Sequence, residues 1–350
     1  MPFSPEKRKG SISGIVFVAL VASSATYLAS FSVFKNLSIS PLVIGILIGM
    51  FYANTLHNRF PASWESGILF SAKKILRFAI VFYGFRITFL QIADVGLEGF
   101  LVSLIMLSST FVLGSYLGYR VFGMEKDTAM LTASGASVCG AAAVLATEPV
   151  LKADGAKTAI AVSMVVLFGT ISMFLYPVLY MGFIEPSSGF FHLSPSAFGI
   201  YVGGSIHEVA QVVAVPNSIP NAPEVMANNA VIVKMTRVIL IAPMLVILGI
   251  YLSFSNKTTT KTKLVIPWFA VYFIAVAGFN TFGILPQEIV AGINEADTFL
   301  LTMAMSALGM QTRFAKFKGL GLAPLYTAGA MFVWLVVGGF LVTKAVTAIF

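Results

Sequence analysis

Charge is scarce in this chain. Of its 350 residues only 10% are Asp, Glu, Lys or Arg, while 58% are hydrophobic and the mean hydropathy is +0.91. A soluble globule of this size carries about 25% charged residues, so a water-soluble fold is excluded. Cysteine is nearly absent. Cys139 stands alone, which rules out an internal disulfide and any multi-cysteine metal site. Histidine is limited to His57, His192 and His207. The His207-Glu208 pair lacks the second histidine of a zinc-protease helix, so neither a metal nor a cofactor is called for. Short alternating segments of the β-barrel kind are missing, as are low-complexity linkers and any soluble domain. Residues 1–350 therefore read as one transmembrane domain. Basic residues outnumber acidic ones, 22 to 14, but they fall in short clusters between apolar runs. That distribution speaks for membrane orientation and against a nucleic-acid partner.

The chain is rich in apolar runs near the ~20 residues that cross a bilayer. Nine are clear, at about 12–31, 38–55, 70–90, 97–121, 156–181, 228–252, 264–282, 289–310 and 320–347. Two more, 126–148 and 195–216, are equally apolar but broken by Gly-rich polar text, SGASVCGAAAVLA at 134–146 and VGGSIHEVAQVVA at 202–214. The expectation is an all-α polytopic membrane protein of about eleven hydrophobic segments. The basic N-terminus MPFSPEKRKG precedes a run too long for a signal-peptide core, so the first helix is retained with its start in the cytoplasm. Lys7, Arg8, Lys9, Arg59, Lys73, Lys74 and Arg77 then lie inside, with Arg86 as a deeper inside anchor. If 126–148 crossed fully, Lys152 and Lys157 would fall outside, and 182–224, which lacks Lys and Arg, would flank the inside. If 126–148 and 195–216 each enter and return on one side, the loops obey the positive-inside rule. Lys257, Lys261, Lys263, Arg313, Lys316 and Lys318 then face in, Glu288, Glu295 and Asp297 face out, and Lys344 is a mild exception.

The two broken segments also align. Gly135 matches Gly203, Ser137 matches Ser205, Ala142 matches Ala210, and the following helices pair Ala159 with Ala230 and Met164 with Met235. With one full span between them, the copies have opposite orientation, the inverted-repeat plan of many transporters. Irregular backbone at membrane depth is tolerated only inside protein or facing water. The breaks at Ser137 and Ser205 are thus candidate solute-binding tips, where free N–H groups and positive helix ends attract anions. Gly135, Gly140, Gly203 and Gly204 would let backbone approach a ligand; equally, small residues let helices pack closely.

Ionisable residues at membrane depth usually face a bundle interior or an aqueous path. His207 and Glu208 fit a proton-coupling pair, with Gln211 one turn on. Alternatively they fix the hairpin shape. Lys234 and Arg237 share a face of the helix after the second tip. With that helix starting near 226, Arg237 lies ~16 Å deep. Two cations there suit an anionic substrate, or charge pairing with Glu208. Cys139 has no base beside it in sequence and reads as a small tip residue. Glu148 reads as a surface acid, Pro149 as a helix stop, and SALGM at 306–310 as a packing segment for the tips.

The text CGAAAVLATEPV, HEVAQVV, KMTRV, IPWFA at 266–270 and DTFLLTMAMSALGM at 297–310 resembles the sulfate-exporter family of YeiH-like bacterial inner-membrane proteins, from the second span to the end. The resemblance implies a secondary transporter related to sodium/proton antiporters and anion transporters, in the bacterial inner (cytoplasmic) membrane. One departure is Val215-Pro216-Asn217, where small residues are expected. The resulting expectation is an exporter of a small anion such as sulfate or an organic sulfonate, working by alternating access. Ser137, Cys139, Gly140, Ser205, His207, Gln211, Lys234 and Arg237 would surround the solute, and His207 and Glu208 would carry a coupling proton. Three rivals stay open: a cation/proton antiporter using Glu208, an intramembrane enzyme using Cys139 or His207, and a scaffold. The partners expected are the anion and the lipid bilayer. Whether copies of the chain assemble is open.

Overall fold

The computed structural model describes residues 8–32, 34, 40–56, 59–256, 267–313, 315 and 321–350. Lys7, His57, Lys257, Lys261, Lys263, Ile266, Lys316 and Lys318 lie outside the described residues. Among the described residues the chain is helical and has no strand. The helices are α1 (Arg8–Ala29), α2 (Pro41–Phe51), α3 (Glu65–Phe70), α4 (Leu76–Tyr83), α5 (Phe89–Tyr116), α6 (Lys126–Ser137), α7 (Ala141–Leu151), α8 (Gly155–Leu179), α9 (Pro195–Ser205), α10 (Val209–Ala214), α11 (Glu224–Ile239), α12 (Ile241–Asn256), α13 (Trp268–Thr281), α14 (Gln287–Gln311), α15 (Leu322–Val333) and α16 (Gly339–Thr347).

Five stretches are long and apolar enough to cross a membrane: Arg8–Ala29, Phe89–Val121, Gly155–Ile184, Glu224–Ser253 and Leu322–Thr347. Shorter apolar helices lie at Pro41–Leu56, Ala141–Leu151 and Trp268–Thr281. With these the chain is a multi-pass membrane protein. Helix α14 has the length of a span but carries Glu288, Glu295 and Asp297 in its first half. The fourth expected span begins earlier than 97, at Phe89, and kinks at Gly96, whose φ of +33° suits glycine. The helix after the second break starts at Glu224, two residues before the expected 226.

The chain divides into two compact units. One comprises 1–91, 217–222 and 269–315, the other 92–216, 223–268 and 316–350. In the first, α14 packs along α2 through small residues. A Cβ on Gly45 would lie 2.6 Å from Ser306 Oγ, and one on Gly309 would lie 2.3 Å from the Ile46 carbonyl. SALGM, expected to pack against the tips, is taken up by α2. A cluster of Val18, Ala22, Ile68, Ala72, Met303, Ala307 and Met310 joins α1, α3 and α14. Arg86 is a correction. Rather than anchoring the chain at a membrane face opposite Asp297, it lies 3.6 Å from that carboxylate. The charge pattern misplaced it because a partly buried arginine seeks an acid, whereas the rule holds for loops.

In the second unit the two broken segments share a plan. Asp154 caps α8 by accepting from the N–H groups of Ala156 and Lys157. Lys157 reaches Glu125 (2.6 Å) and Asp127 (3.5 Å), and a Cβ on Gly135 would lie 2.5 Å from Val165. Early residues meet early and late meet late, so α6 and α8 run parallel. The chain between them doubles back: Ser134 Oγ shares a hydrogen bond with Thr147 Oγ1 (2.6 Å) and donates to the Ala143 carbonyl (3.2 Å). Pro149 does not stop α7, which runs two residues further to a left-handed Lys152, φ +53°. Helices α9 and α11 are parallel for the same reason. Asn229 Nδ2 donates to Ser196 Oγ (2.8 Å), and Cβ atoms on Gly199 and Gly203 would each meet a carbonyl at 2.4 Å, those of Met226 and Ala230. Lys344, the exception to the charge pattern, donates to the His192 carbonyl (2.7 Å) and so closes the loop before α9.

Candidate functional site

Helix α6 ends at Ser137 because Val138 leaves helical geometry (φ −119°, ψ −87°) and Gly140 turns the chain with φ +78°. Helix α9 ends at Ser205, after which Ile206 is extended (φ −72°, ψ 148°). Each end leaves carbonyls without intrahelical partners, and each carries the negative end of a helix dipole. Two side chains of α11 take them up. Lys234 Nζ donates to the carbonyls of Val138, Ile206 and His207, each at 2.7 Å. Arg237 donates through Nη1 to Gly204 (2.7 Å), through Nη2 to Ala136 (3.1 Å) and Ser137, and through Nε to Ser137 (3.1 Å). Both residues are fully buried. One helix thus ties the two breaks together, because the i, i+3 spacing of KMTR sets both cations on one face. An unpaired buried cation would cost several kcal/mol; here carbonyls and helix ends offset that cost.

The start of the next two helices is handled by one acid. Glu208 is the N-cap of α10 in a reciprocal capping box: its carboxylate accepts from the backbone N–H of Gln211, and Gln211 Oε1 accepts from the Glu208 N–H at 3.1 Å. The same carboxylate lies 3.4 Å from the Ala141 N–H, at the start of α7. Gly140 makes this possible, since a Cβ there would sit 2.4 Å from Glu208 Cγ. Two polar atoms at the site have no hydrogen-bond partner although buried: His207 Nδ1 and Gln211 Nε2.

Ser137, Cys139, Gly140, Ser205, His207, Glu208, Gln211, Lys234 and Arg237 all belong to the unit of 92–216, 223–268 and 316–350. The bonds named draw them around the two breaks. The hydroxyls are engaged: Ser137 Oγ donates to the Ser134 carbonyl (3.2 Å), and Ser205 Oγ donates to the Tyr201 carbonyl. Cys139 is a buried free thiol. Gly135, Gly203 and Gly204 are close-packing positions, with Cβ sites 2.4–2.8 Å from Val165, Val144, Val233, Val102 or the Ala230 carbonyl. They let the helices approach one another closely. Glu148 is half-buried.

Sequence reasoning passed over Tyr176 and Gly169. The Tyr176 hydroxyl donates to Ser205 Oγ (2.9 Å), and its ring stacks on Tyr201 at 4.9 Å. A tyrosine in the middle of an apolar span needs a polar partner, which was the available signal. A Cβ on Gly169 would lie 2.4 Å from Gln211 Oε1, so this glycine is the bed for that side chain. A cavity of about 510 Å³ elsewhere in the same unit is lined by Leu104, Phe111, Met130, Pro243 and Tyr251 and by none of the tip residues.

The family model described as Conserved hypothetical protein 698 matches residues 13–328. The chain is 45% identical over 348 residues to a UPF0324 membrane protein of Bordetella pertussis, covering 98% of this chain and 97% of the relative. It is 46% identical over 331 residues to the UPF0324 inner membrane protein YeiH of Escherichia coli K12, covering 94% and 92%. A UPF0324 membrane protein of Bacteroides thetaiotaomicron is 43% identical over 341 residues, with 96% and 98% covered.

Proposed function

The chain belongs to the Conserved hypothetical protein 698 family, and from that premise we propose that it is a secondary transporter of a small anion such as sulfate or an organic sulfonate. Its place is the bacterial inner membrane, as the name of the YeiH relative suggests, with the N-terminus in the cytoplasm. The segments 126–148 and 195–216 are re-entrant hairpins of an inverted repeat. The parallel course of α6 with α8 and of α9 with α11 supports this, because each pair needs a returning segment between its members. The unit that holds both breaks is the body that moves to expose the solute alternately.

One observation carries the anion reading: two fully buried cations, Lys234 and Arg237, stand against one carboxylate, Glu208, where the breaks meet. That leaves one excess positive formal charge on two side chains that are fully buried. The cations act through their field, since their donors are held by carbonyls. Direct contact with the solute falls to the two unpartnered groups, Gln211 Nε2 as a donor and His207 Nδ1 as the site of a coupling proton. Ser137, Cys139, Gly140 and Ser205 form the surrounding wall. In proteoliposomes, uptake of labelled sulfate should fall about tenfold or more in Gln211→Leu, the loss of one charge-assisted contact of about 1.4 kcal/mol. Unchanged uptake in that variant removes Gln211 from the solute, and unchanged uptake in Arg237→Ala removes the anion field.

A second reading, cation/proton antiport through Glu208, draws on the same bonds: if Lys234 and Arg237 serve only as caps, Glu208 is the remaining ion ligand. Vesicle acidification or alkalinisation on adding Na⁺ without any permeant anion favours it. Either way the protein is a transporter and not an enzyme. Product formation by protein in detergent, without sealed vesicles, is the outcome that contradicts both.

A further inference from the structure

The unit of residues 1–91, 217–222 and 269–315 contains a second buried polar cluster, on α14 and the end of α4. Asp297 has its side chain fully buried, yet neither carboxylate oxygen has a hydrogen-bond partner. Arg86 lies 3.6 Å away, but its Nη2 donates to the Asn294 carbonyl (2.5 Å) and to Thr298 Oγ1 (2.8 Å) instead. Arg86 Nε and Asn294 Oδ1 are also buried without partners. Four orphaned polar atoms in one cluster are unusual, because buried polar groups are nearly always paired. Three are acceptors, so the missing element is a donor.

Among the described residues no other ionised group pairs with Asp297. Helix α2, packed along α14, has no ionisable side chain. Among the other elements packed on α14, α1 contributes Arg8, Lys9 and Tyr27. Residues 52–56 contribute Tyr52, α3 contributes Glu65, and residues 71–83 contribute Lys73, Lys74, Arg77 and Tyr83. None of these is ion-paired to Asp297. Glu65 pairs with Arg313 near the far end of α14 (3.4 Å), and Tyr83 lies beneath the Arg86 guanidinium at 5.2 Å. On α14 itself the other acids are Glu288 and Glu295, and among the described residues Arg86 alone forms an ion pair with Asp297.

We propose that Asp297 is a proton-binding site, with Arg86 and Asn294 as its two alternative partners. Ionised, Asp297 faces Arg86. Protonated, it donates to Asn294 Oδ1, one turn away on the same helix face, and the ion pair dissolves. The proton comes from and returns to water along Arg86, whose side chain is 29% exposed while that of Asp297 is closed off. One O–H bond forms on the carboxylate and one proton leaves the solvent; nothing else is consumed. The site gives the protein a proton-linked element outside the chain breaks, and it stands whether the solute is an anion or a cation.

The test is infrared titration of the full-length protein in lipid nanodiscs, with protons as the only probe. Wild-type minus Asp297→Asn spectra should contain a carboxylic-acid carbonyl band that grows on acidification. Asn294→Leu should shift that band as its hydrogen bond is lost. In Arg86→Met, which keeps the acid, the band should persist to more alkaline solution. A difference spectrum without any titrating acid band overturns the proposal, as does a band whose titration Arg86→Met leaves unchanged. These readings do not involve transport, so they stand apart from the flux experiment.

Discussion

Two arginines in this molecule, Arg237 fully buried and Arg86 partly so, live under opposite conditions. Arg237, with its neighbour Lys234, has its hydrogen-bonding capacity filled by main-chain carbonyls at the ends of α6 and α9. Arg86 leaves Nε unpaired and stands beside a carboxylate with two bare oxygens. Both clusters are costly in a membrane, but the cost is offset in only one of them. A saturated cluster holds one arrangement, because every alternative leaves an acceptor bare. An unsaturated one has two near-equivalent arrangements and is suited to exchanging a ligand. The first therefore reads as the fixed frame on which the chain breaks hang, and the second as the responsive element.

That comparison breaks if the two clusters respond alike to loss of charge. Lys234→Met keeps the length of the side chain and removes three donors at 2.7 Å. Each carbonyl left bare in the interior costs about 1–3 kcal/mol, so the expected loss is several kcal/mol. Asp297→Asn removes a carboxylate that has no hydrogen bond to lose. Arg86, left without its acid, keeps its bonds to the Asn294 carbonyl and Thr298 Oγ1 and is 29% exposed, so water takes up its charge, and the expected change is within about 1 kcal/mol. Thermal unfolding of both variants in the same detergent decides the matter. Equal losses would mean that saturation is not what separates the clusters.

A finer version concerns glycine. Gly140 and Gly283 both have positive φ, +78° and +62°, but the Cβ position of Gly283 is empty to 4 Å while that of Gly140 is filled by Glu208. Alanine carries a positive-φ penalty of about 1–2 kcal/mol at Gly283 and of up to about 3 kcal/mol at Gly140, whose ψ of −138° places it in a region open essentially to glycine alone. Gly140→Ala should cost a further ~1 kcal/mol, as Glu208 is pushed off the start of α7. If unfolding midpoints show the two alanines equally tolerated, Glu208 is not wedged between α7 and α10 as described.

Much of the frame could be read from the sequence. The breaks at Ser137 and Ser205 are visible because Gly-x-Ser interrupts apolar text, and the depth of Lys234 and Arg237 follows from counting along a helix. What could not be read is the sign of the helix ends those cations meet. Sequence suggests a cation beside a positive helix start, attracting an anion directly. The structure has the cations at two negative helix ends and an acid at the positive ones. Which end faces which side chain depends on how the chain doubles back, a long-range fact that no local pattern encodes. The same holds for Gly169 and Tyr176, whose partners lie 42 and 29 positions away, at Gln211 and Ser205. Arg86 misled for a related reason: charge counting treats every basic residue as a loop residue, and this one has a buried acid more than 200 positions on, at Asp297.

The smallest expected effect tests whether burial, and not bond length, sets the contribution of a cation. Lys157 makes the shortest ion pair among the described residues, 2.6 Å to Glu125, but 70% of the glutamate side chain is exposed. Lys234 makes bonds of nearly the same length, 2.7 Å, with no exposure at all. Water competes for an exposed pair and salt screens it, whereas the fully buried Lys234 is shielded from both. Lys157→Gln should therefore leave the unfolding midpoint almost unchanged, and the residual difference from wild type should vanish as salt is raised. The Lys234→Met deficit should persist across the same salt series. A salt-resistant loss in Lys157→Gln would show that its contact with Glu125 and Asp127 does more than decorate the start of α8, and the parallel register of α6 and α8 would then depend on it.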